Sequence, residues 1–227
     1  PSLGWDLNRV YTDADYTLYA DVPDLFPPHD LPPNHAFIGP VLWSPPLPVP
    51  DWWDQLPAGQ PLVYVTVGSS GHGALLPGVL RALAGLPVTV LAATVGMVKL
   101  DVVPDNARVA DFLPGEEAAR RAALVICNGG SPTSHQALAA GVPVVGIAGN
   151  LDQFLNMQGI VAAGAGLRRD PLAADEIAKG LGHVVPEGRC DLWCGNRRGG
   201  RGGTEPGKAL LCVAGAREDF PRGRDGR

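Results

Sequence analysis

Residues 62–185 are expected to fold as a doubly wound, Rossmann-like parallel α/β sheet. Short apolar runs alternate with stretches of helical pattern, as a parallel sheet wrapped by crossover helices requires. The runs Leu62–Val67 (LVYVTV) and Leu86–Ala93 are rich in β-branched residues, which favour strands. The first run ends in a glycine-rich turn, Gly68-Ser69-Ser70-Gly71-His72-Gly73, and Ala123–Ile126 leads into Asn128-Gly129-Gly130.

Taken in order, residues 1–20 carry Trp5, Tyr11, Tyr16 and Tyr19 among acidic residues, a piece too short for a domain. Residues 21–61 are dense in proline, which excludes regular helix and central strand, so an extended linker is expected there. Trp43, Trp52 and Trp53 would pin that linker to a surface rather than form a ligand platform. After the strand at Leu62–Val67, a helix is expected over Ala74–Ala84, with Gly85 as its stop. Leu86–Ala93 and Arg108–Phe112 follow as strands. Pro114 opens a helix whose first turn holds Glu116 and Glu117, where the helix dipole favours acids. Ala123–Ile126 is a strand. Ser131 is expected as the N-cap of the next helix, with Pro132 in the first helical position, and Gly141 ends it. Val144–Ile147 is a strand, Gln153–Ala163 a helix, Gly166–Arg169 a strand and Leu172–Leu181 a helix. From Glu187 the chain turns Arg- and Gly-rich without periodicity, so residues 186–227 are expected to be disordered or out of frame.

Composition narrows the function. A net charge of −5, without a basic aromatic surface, argues against nucleic acid as the partner. The longest apolar run, Leu86–Val98, is too short to span a bilayer, and no signal peptide is visible. The start at Pro1 suggests that the true N-terminus is missing. Of the cysteines, Cys127 lies in a buried strand, while Cys190, Cys194 and Cys212 lie in the tail. No disulfide framework follows, and a cytoplasmic setting is expected. The Cys190/Cys194 pair lacks the partners of a zinc site, so no metal is expected.

The chemistry gathers at strand ends. Gly129–Thr133 place bare backbone and the positive end of a helix after a strand, a ready anion site. Gly149–Gln153 form a polar loop after the next strand. With Gly68–Ser70 and Phe112-Leu113, four such loops share one sheet edge, where open α/β sheets bind ligands. His72 could reach an anion from its loop, whereas His135, in a helix first turn, is expected to be partly exposed and non-catalytic. Neither a nucleophile elbow nor a carboxylate pair suited to hydrolysis is present.

Residues 123–166 resemble the donor-binding signature of family 1 glycosyltransferases, the GT-B group of bacterial macrolide and plant UDP-sugar transferases. Gly129-Gly130, Ala137-Leu138, Gly141-Val142-Pro143, Asp152-Gln153 and Asn156 match in order and spacing. Weaker similarity extends from about Leu18 to Leu181. The resemblance implies a C-terminal donor-binding half over 62–185, joined by the linker to the remnant (1–20) of an N-terminal acceptor domain. It implies an inverting hexosyl transfer from a UDP- or TDP-sugar to a small-molecule hydroxyl, without further cofactor or metal.

By the same resemblance, Gly129, Gly130, Ser131 and Thr133 would hold the diphosphate, and Gly68-Ser69 would flank it. Gln136 would take ribose hydroxyls, Asp152 and Gln153 the sugar. Phe112 would stack the base and Leu113 read its edge through the backbone. The chain departs from the family at Asn128, which stands for a histidine, and at Gln136, which stands for a glutamate; both replacements are neutral. The base that deprotonates the acceptor would lie in the missing N-terminal domain, so this polypeptide is expected to show little or no transferase activity alone. A non-catalytic nucleotide-sugar-binding module, or a nucleotide-sugar epimerase or hydrolase of the same fold, are the alternatives.

Overall fold

In the computed structural model, residues 4–6, 9, 12–169, 184–185 and 212–213 are described. Six parallel strands form the central sheet: β3 (Leu62–Thr66), β4 (Thr89–Ala93), β5 (Ala107–Ala110), β6 (Leu124–Cys127), β7 (Val144–Ile147) and β8 (Gly166–Arg169), in the order β5-β4-β3-β6-β7-β8. The expected doubly wound sheet is present. The sheet begins at β3, builds outward through β4 and β5, then returns beside β3 with β6 and builds the other way. Between β3 and β6 lies the switch point at which such sheets bind ligands.

The inner strands β4, β6 and β7 are buried on both faces, so their runs are nearly continuously apolar. Alternate residues divide between two core layers. Val63, Val65, Val90, Leu124, Ile126 and Val145 face α1 (Leu76–Leu83), whose Leu76, Val79, Leu80 and Leu83 are buried. Tyr64, Leu91, Val125 and Val144 face the layer built by α2 (Gly115–Arg121), α3 (Ser131–Ala139) and α4 (Leu151–Ala162).

The proline-rich segment is part of that second layer. Leu25 and Trp53 are core residues at 4% exposure, and Arg121 clasps Trp53, donating to its carbonyl at 2.7 Å with the guanidinium 5.0 Å from the indole centroid. The expected pinning therefore rests on Trp53; Trp43 stays exposed. The segment holds one three-residue strand, β2 (His35–Phe37), paired parallel with β1 (Thr17–Tyr19) from the stretch before it, and one 3-10 turn at Trp53–Gln55. Short pairs of this kind fit between prolines where a long strand cannot.

Element boundaries shift for local reasons. The run Leu86–Ala93 enters the sheet only at Thr89, because Val88 N–H folds back onto Leu86 carbonyl at 2.8 Å. The helix expected over 74–84 begins as a 3-10 turn, Gly73–Leu75. Helix α4 starts two residues early, at Leu151, because Asn150 caps it by accepting from Gln153 N–H at 3.0 Å. Ser131 is not the N-cap of α3: Gly130 holds that position and Ser131 is the first helical residue, which moves Pro132 one place inward. The extra residue in the turn is Gly129, whose φ of +82° reverses the chain before the helix begins. The helix expected over 172–181 lies outside the described residues. Beyond it, Val184–Val185 and Cys212–Val213 form a short antiparallel pair, β9 and β10.

Candidate functional site

All loops after the sheet strands leave from one edge, and those after β3, β6 and β7 converge at the switch point. Asn128, directly after β6, is 7% exposed and reaches across to the β3 loop. Its Nδ2 donates to Ser70 Oγ at 3.2 Å, while its Oδ1 accepts from Gly130 N–H at 3.1 Å. Gln153, on the first turn of α4, is 1% exposed and reaches the same hydroxyl, with Nε2 3.3 Å from Ser70 Oγ and 3.4 Å from Ser70 carbonyl. Its Oε1 accepts from Gly149 N–H at 2.8 Å. One serine thus ties three loops together.

The turn into α3 is shaped for close approach. Gly129 packs against α4, and a Cβ there would lie 2.6 Å from Met157 Cγ. Asn156, buried on α4, holds the turn from behind, donating to Gly129 carbonyl at 2.7 Å and to Ser134 Oγ at 2.9 Å. Ser134 N–H already bonds Gly130 carbonyl, so the first-turn donors left for a ligand are the N–H groups of Ser131 and Thr133; Pro132 has none. Ser131 is exposed and Thr133 half-buried. The helix dipole adds partial positive charge at the same place.

The remaining candidates fall into two groups. Gly68, at φ +61°, lies beside Asn128, with Ser69 exposed next to it. Asp152 is exposed on the first turn of α4. Phe112 is 54% exposed, whereas Leu113 is buried in the core. Gln136 is buried, and its Nε2 donates to Trp43 carbonyl in the proline-rich segment at 2.7 Å. That amide nitrogen is therefore engaged by the linker rather than open to the crevice. His72 is exposed, with its ring against Gly149, so it bridges the first and last of the converging loops.

Two features were not visible in the sequence. After β4, Val95 adopts φ +56°, a conformation costly for a β-branched residue, and such strain gathers at functional sites. It is held by a clamp to the next strand end: Thr94 Oγ1 donates to Asp111 Oδ1 at 2.7 Å and Val95 N–H donates to Asp111 carbonyl at 2.7 Å. Ser70 is the other. A serine in a glycine-rich loop carries no signal of its own, and only the side chains arriving from 128 and 153 mark it.

His135 is a correction. It is 7% exposed rather than partly exposed, because α3 turns it under the proline-rich segment. There its Nε2 lies 3.7 Å from Asp21 Oδ2 without a hydrogen-bond partner among the described residues. Burial lowers its pKa, and the Asp21 carboxylate pulls the other way more weakly. The folded pKa thus lies below the unfolded value of about 6.5. The neutral ring contributes its full stability above that value. As pH falls through it, the unfolded chain takes up a proton that the folded chain resists, and stability is lost. Urea unfolding of the wild type against His135→Gln should show this difference between pH 8 and 5, with a slope of at most about 1.4 kcal/mol per pH unit. Equal pH profiles would rule it out.

Cys127 is fully packed in β6, and burial pushes its thiol up to about 11, so it is a protonated core residue and not a nucleophile. Among the described residues no three His, Cys, Asp or Glu side chains cluster as metal ligands, and no helix is long and apolar enough to cross a membrane.

The chain is similar to several known proteins. Residues 79–191 match the family model for the C-terminal domain of erythromycin biosynthesis protein CIII-like proteins. A PGL/p-HBAD biosynthesis rhamnosyltransferase of Mycobacterium bovis (strain BCG / Pasteur 1173P2) is 59% identical over 186 residues, covering 81% of this chain and 41% of the relative. The chain therefore spans about two-fifths of that relative's length. Among solved structures, spinosyn forosaminyltransferase SpnP superposes with a TM-score of 0.67 at 23% identity, over 81% of this chain and 48% of that one. Spinosyn rhamnosyltransferase SpnG complexed with thymidine diphosphate gives 0.61 at 26% identity, over 74% and 49%. Sheet order, helix placement and these matches agree: the described α/β unit has the fold of the C-terminal domain of GT-B glycosyltransferases.

Proposed function

We propose that this chain is the donor-binding half of an inverting glycosyltransferase that takes a hexose from a TDP- or UDP-sugar to a small-molecule hydroxyl. The observation that carries this reading is the convergence of Asn128, Ser70 and Gln153 on the switch point beside the first turn of α3. The diphosphate sits at Gly129–Thr133, against the N–H groups of Ser131 and Thr133 and the helix dipole, with Gly68 and Ser69 alongside. The base lies on the ring of Phe112, beside the backbone of Leu113. The sugar faces Asp152 and the Gly149–Gln153 loop. The rhamnosyltransferase names of the mycobacterial relative and of SpnG, the latter with thymidine diphosphate, favour a TDP-deoxyhexose.

In the reaction, the acceptor oxygen attacks the anomeric carbon from the face opposite the diphosphate, and the C–O bond to the leaving phosphate breaks. The charge that develops on the leaving diphosphate is met by N–H donors and the α3 dipole; Asn128, being neutral, adds no charge of its own. The acceptor and the base that removes its proton belong to an N-terminal domain, of which residues 1–20 are the last piece, and residues 21–61 are the linker to it. The setting is cytoplasmic, where nucleotide sugars are made.

Calorimetric titration of the full chain with TDP, UDP and their hexose conjugates tests this. Saturable one-site binding of at least one diphosphate is expected, with no turnover on a phenol panel. No binding to any of them overturns the reading. A non-catalytic binding module is the second reading, favoured by the engagement of Gln136 with Trp43 carbonyl. It is the outcome if the chain binds donor but stays inactive when joined to the acceptor domain of a close relative.

A further inference from the structure

The hydroxyl of Ser70 is held in one hydrogen-bonding state. Both Asn128 Nδ2, at 3.2 Å, and Gln153 Nε2, at 3.3 Å, donate to its oxygen. Neither amide can be turned round. Gly130 N–H points at Asn128 Oδ1 and Gly149 N–H at Gln153 Oε1, and a backbone N–H can only donate, so each amide oxygen must face its glycine and each NH2 must face Ser70. A hydroxyl has two lone pairs and one proton. With both lone pairs occupied, the proton is what Ser70 has left to offer, and no acceptor among the described residues takes it. Ser70 is exposed at the switch point. Gly71 packs so closely on Val67 carbonyl that any Cβ would overlap it.

We propose that Ser70 is a dedicated hydrogen-bond donor to a phosphate oxygen of the bound nucleotide diphosphate. The role rests on the nucleotide-sugar function proposed above and adds to it a residue from the β3 loop. A group that presents only a proton selects a ligand atom that presents only lone pairs, and a diphosphate oxygen at neutral pH is such an atom. Asn128 and Gln153 then act on the ligand through Ser70, as positioning residues: each contributes by keeping the serine proton turned outward.

Titration of the full chain with TDP and with thymidine tests the assignment, with wild type, Ser70→Ala, Ser70→Thr and Ser70→Cys compared. Ser70→Ala should weaken TDP about tenfold or more, the usual scale of a hydrogen bond to a charged group, and leave thymidine unchanged. Ser70→Thr, which keeps the hydroxyl, should stay within about threefold of wild type. If Ser70→Ala does not fold, as read by circular dichroism, Ser70→Cys carries the comparison, because its thiol is a poor donor and should weaken TDP as alanine does. TDP affinity within about twofold of wild type in a folded Ala or Cys variant overturns the role of Ser70 alone. Equal weakening of TDP and thymidine also overturns it, since that marks a collapsed loop rather than a lost phosphate contact. A wild-type chain that binds neither TDP nor UDP removes the donor-binding function, and this role with it.

Discussion

Gly129→Ala is expected to destabilise the chain by about 3 kcal/mol or more, seen as a lower urea midpoint with little change in slope. Two costs add. At φ +82° a Cβ crowds its own carbonyl, worth about 1–2 kcal/mol. The new methyl would also stand 2.6 Å from Met157 Cγ and 3.3 Å from Gln153 carbonyl. Met157 is wholly buried, and its sulfur already fills the space left by Gly146 on β7, so it has nowhere to retreat; overpacking of this kind costs about 1–3 kcal/mol. Gly130→Ala is the control. That residue has an ordinary φ of −69°, and its nearest neighbour to a new methyl is Asn128 Oδ1 at 3.3 Å. Its cost should be under about 1 kcal/mol. Equal losses in the two variants would refute the difference in backbone and packing on which the turn is explained.

The same pair of glycines shows how far the sequence could be read. The dipeptide signalled a turn between strand and helix, and the turn is there. The glycine with positive φ, Gly129, packs on Met157 from a distant helix, and local pattern holds no record of that contact. Ser131 was expected as the cap for the same reason: it is a good N-cap by type, but Gly129 takes an extra step and Gly130 fills the position. The sheet itself was legible because its inner strands are buried on both faces and so appear as nearly unbroken apolar runs. The pinning by Trp53 was legible but its partner Arg121 was not, and the burial of His135 was not, since both partnerships, with Arg121 and Asp21, cross long separations. Among the site residues, loop positions followed from strand ends. Side-chain partnerships did not: Gln153 turned inward to Ser70 and Gly149, and Gln136 turned to Trp43.

Gln153→Glu changes one NH2 to an oxygen and should cost about 3 kcal/mol at pH 8, the lower end of the range for an uncompensated buried charge. Gly149 N–H can still donate to one carboxylate oxygen, but the other now faces Ser70 Oγ and Ser70 carbonyl, which had been accepting. At 1% exposure the charge is also poorly solvated. Burial raises the folded pKa of the new carboxyl above its unfolded value of about 4.3. The folded state therefore binds the proton more tightly, and the variant gains on wild type as pH falls toward that value. When protonated, the carboxyl again donates to Ser70 Oγ, which restores the original pattern. The difference in unfolding free energy between wild type and Gln153→Glu should accordingly be largest at pH 8 and shrink steadily toward pH 5. A pH-independent difference would mean that residue 153 is not held against Ser70. Because the protonated side chain restores the donor and the ionised one does not, nucleotide-diphosphate affinity should follow the same pH course, which ties the stability of the loop to the use of the site.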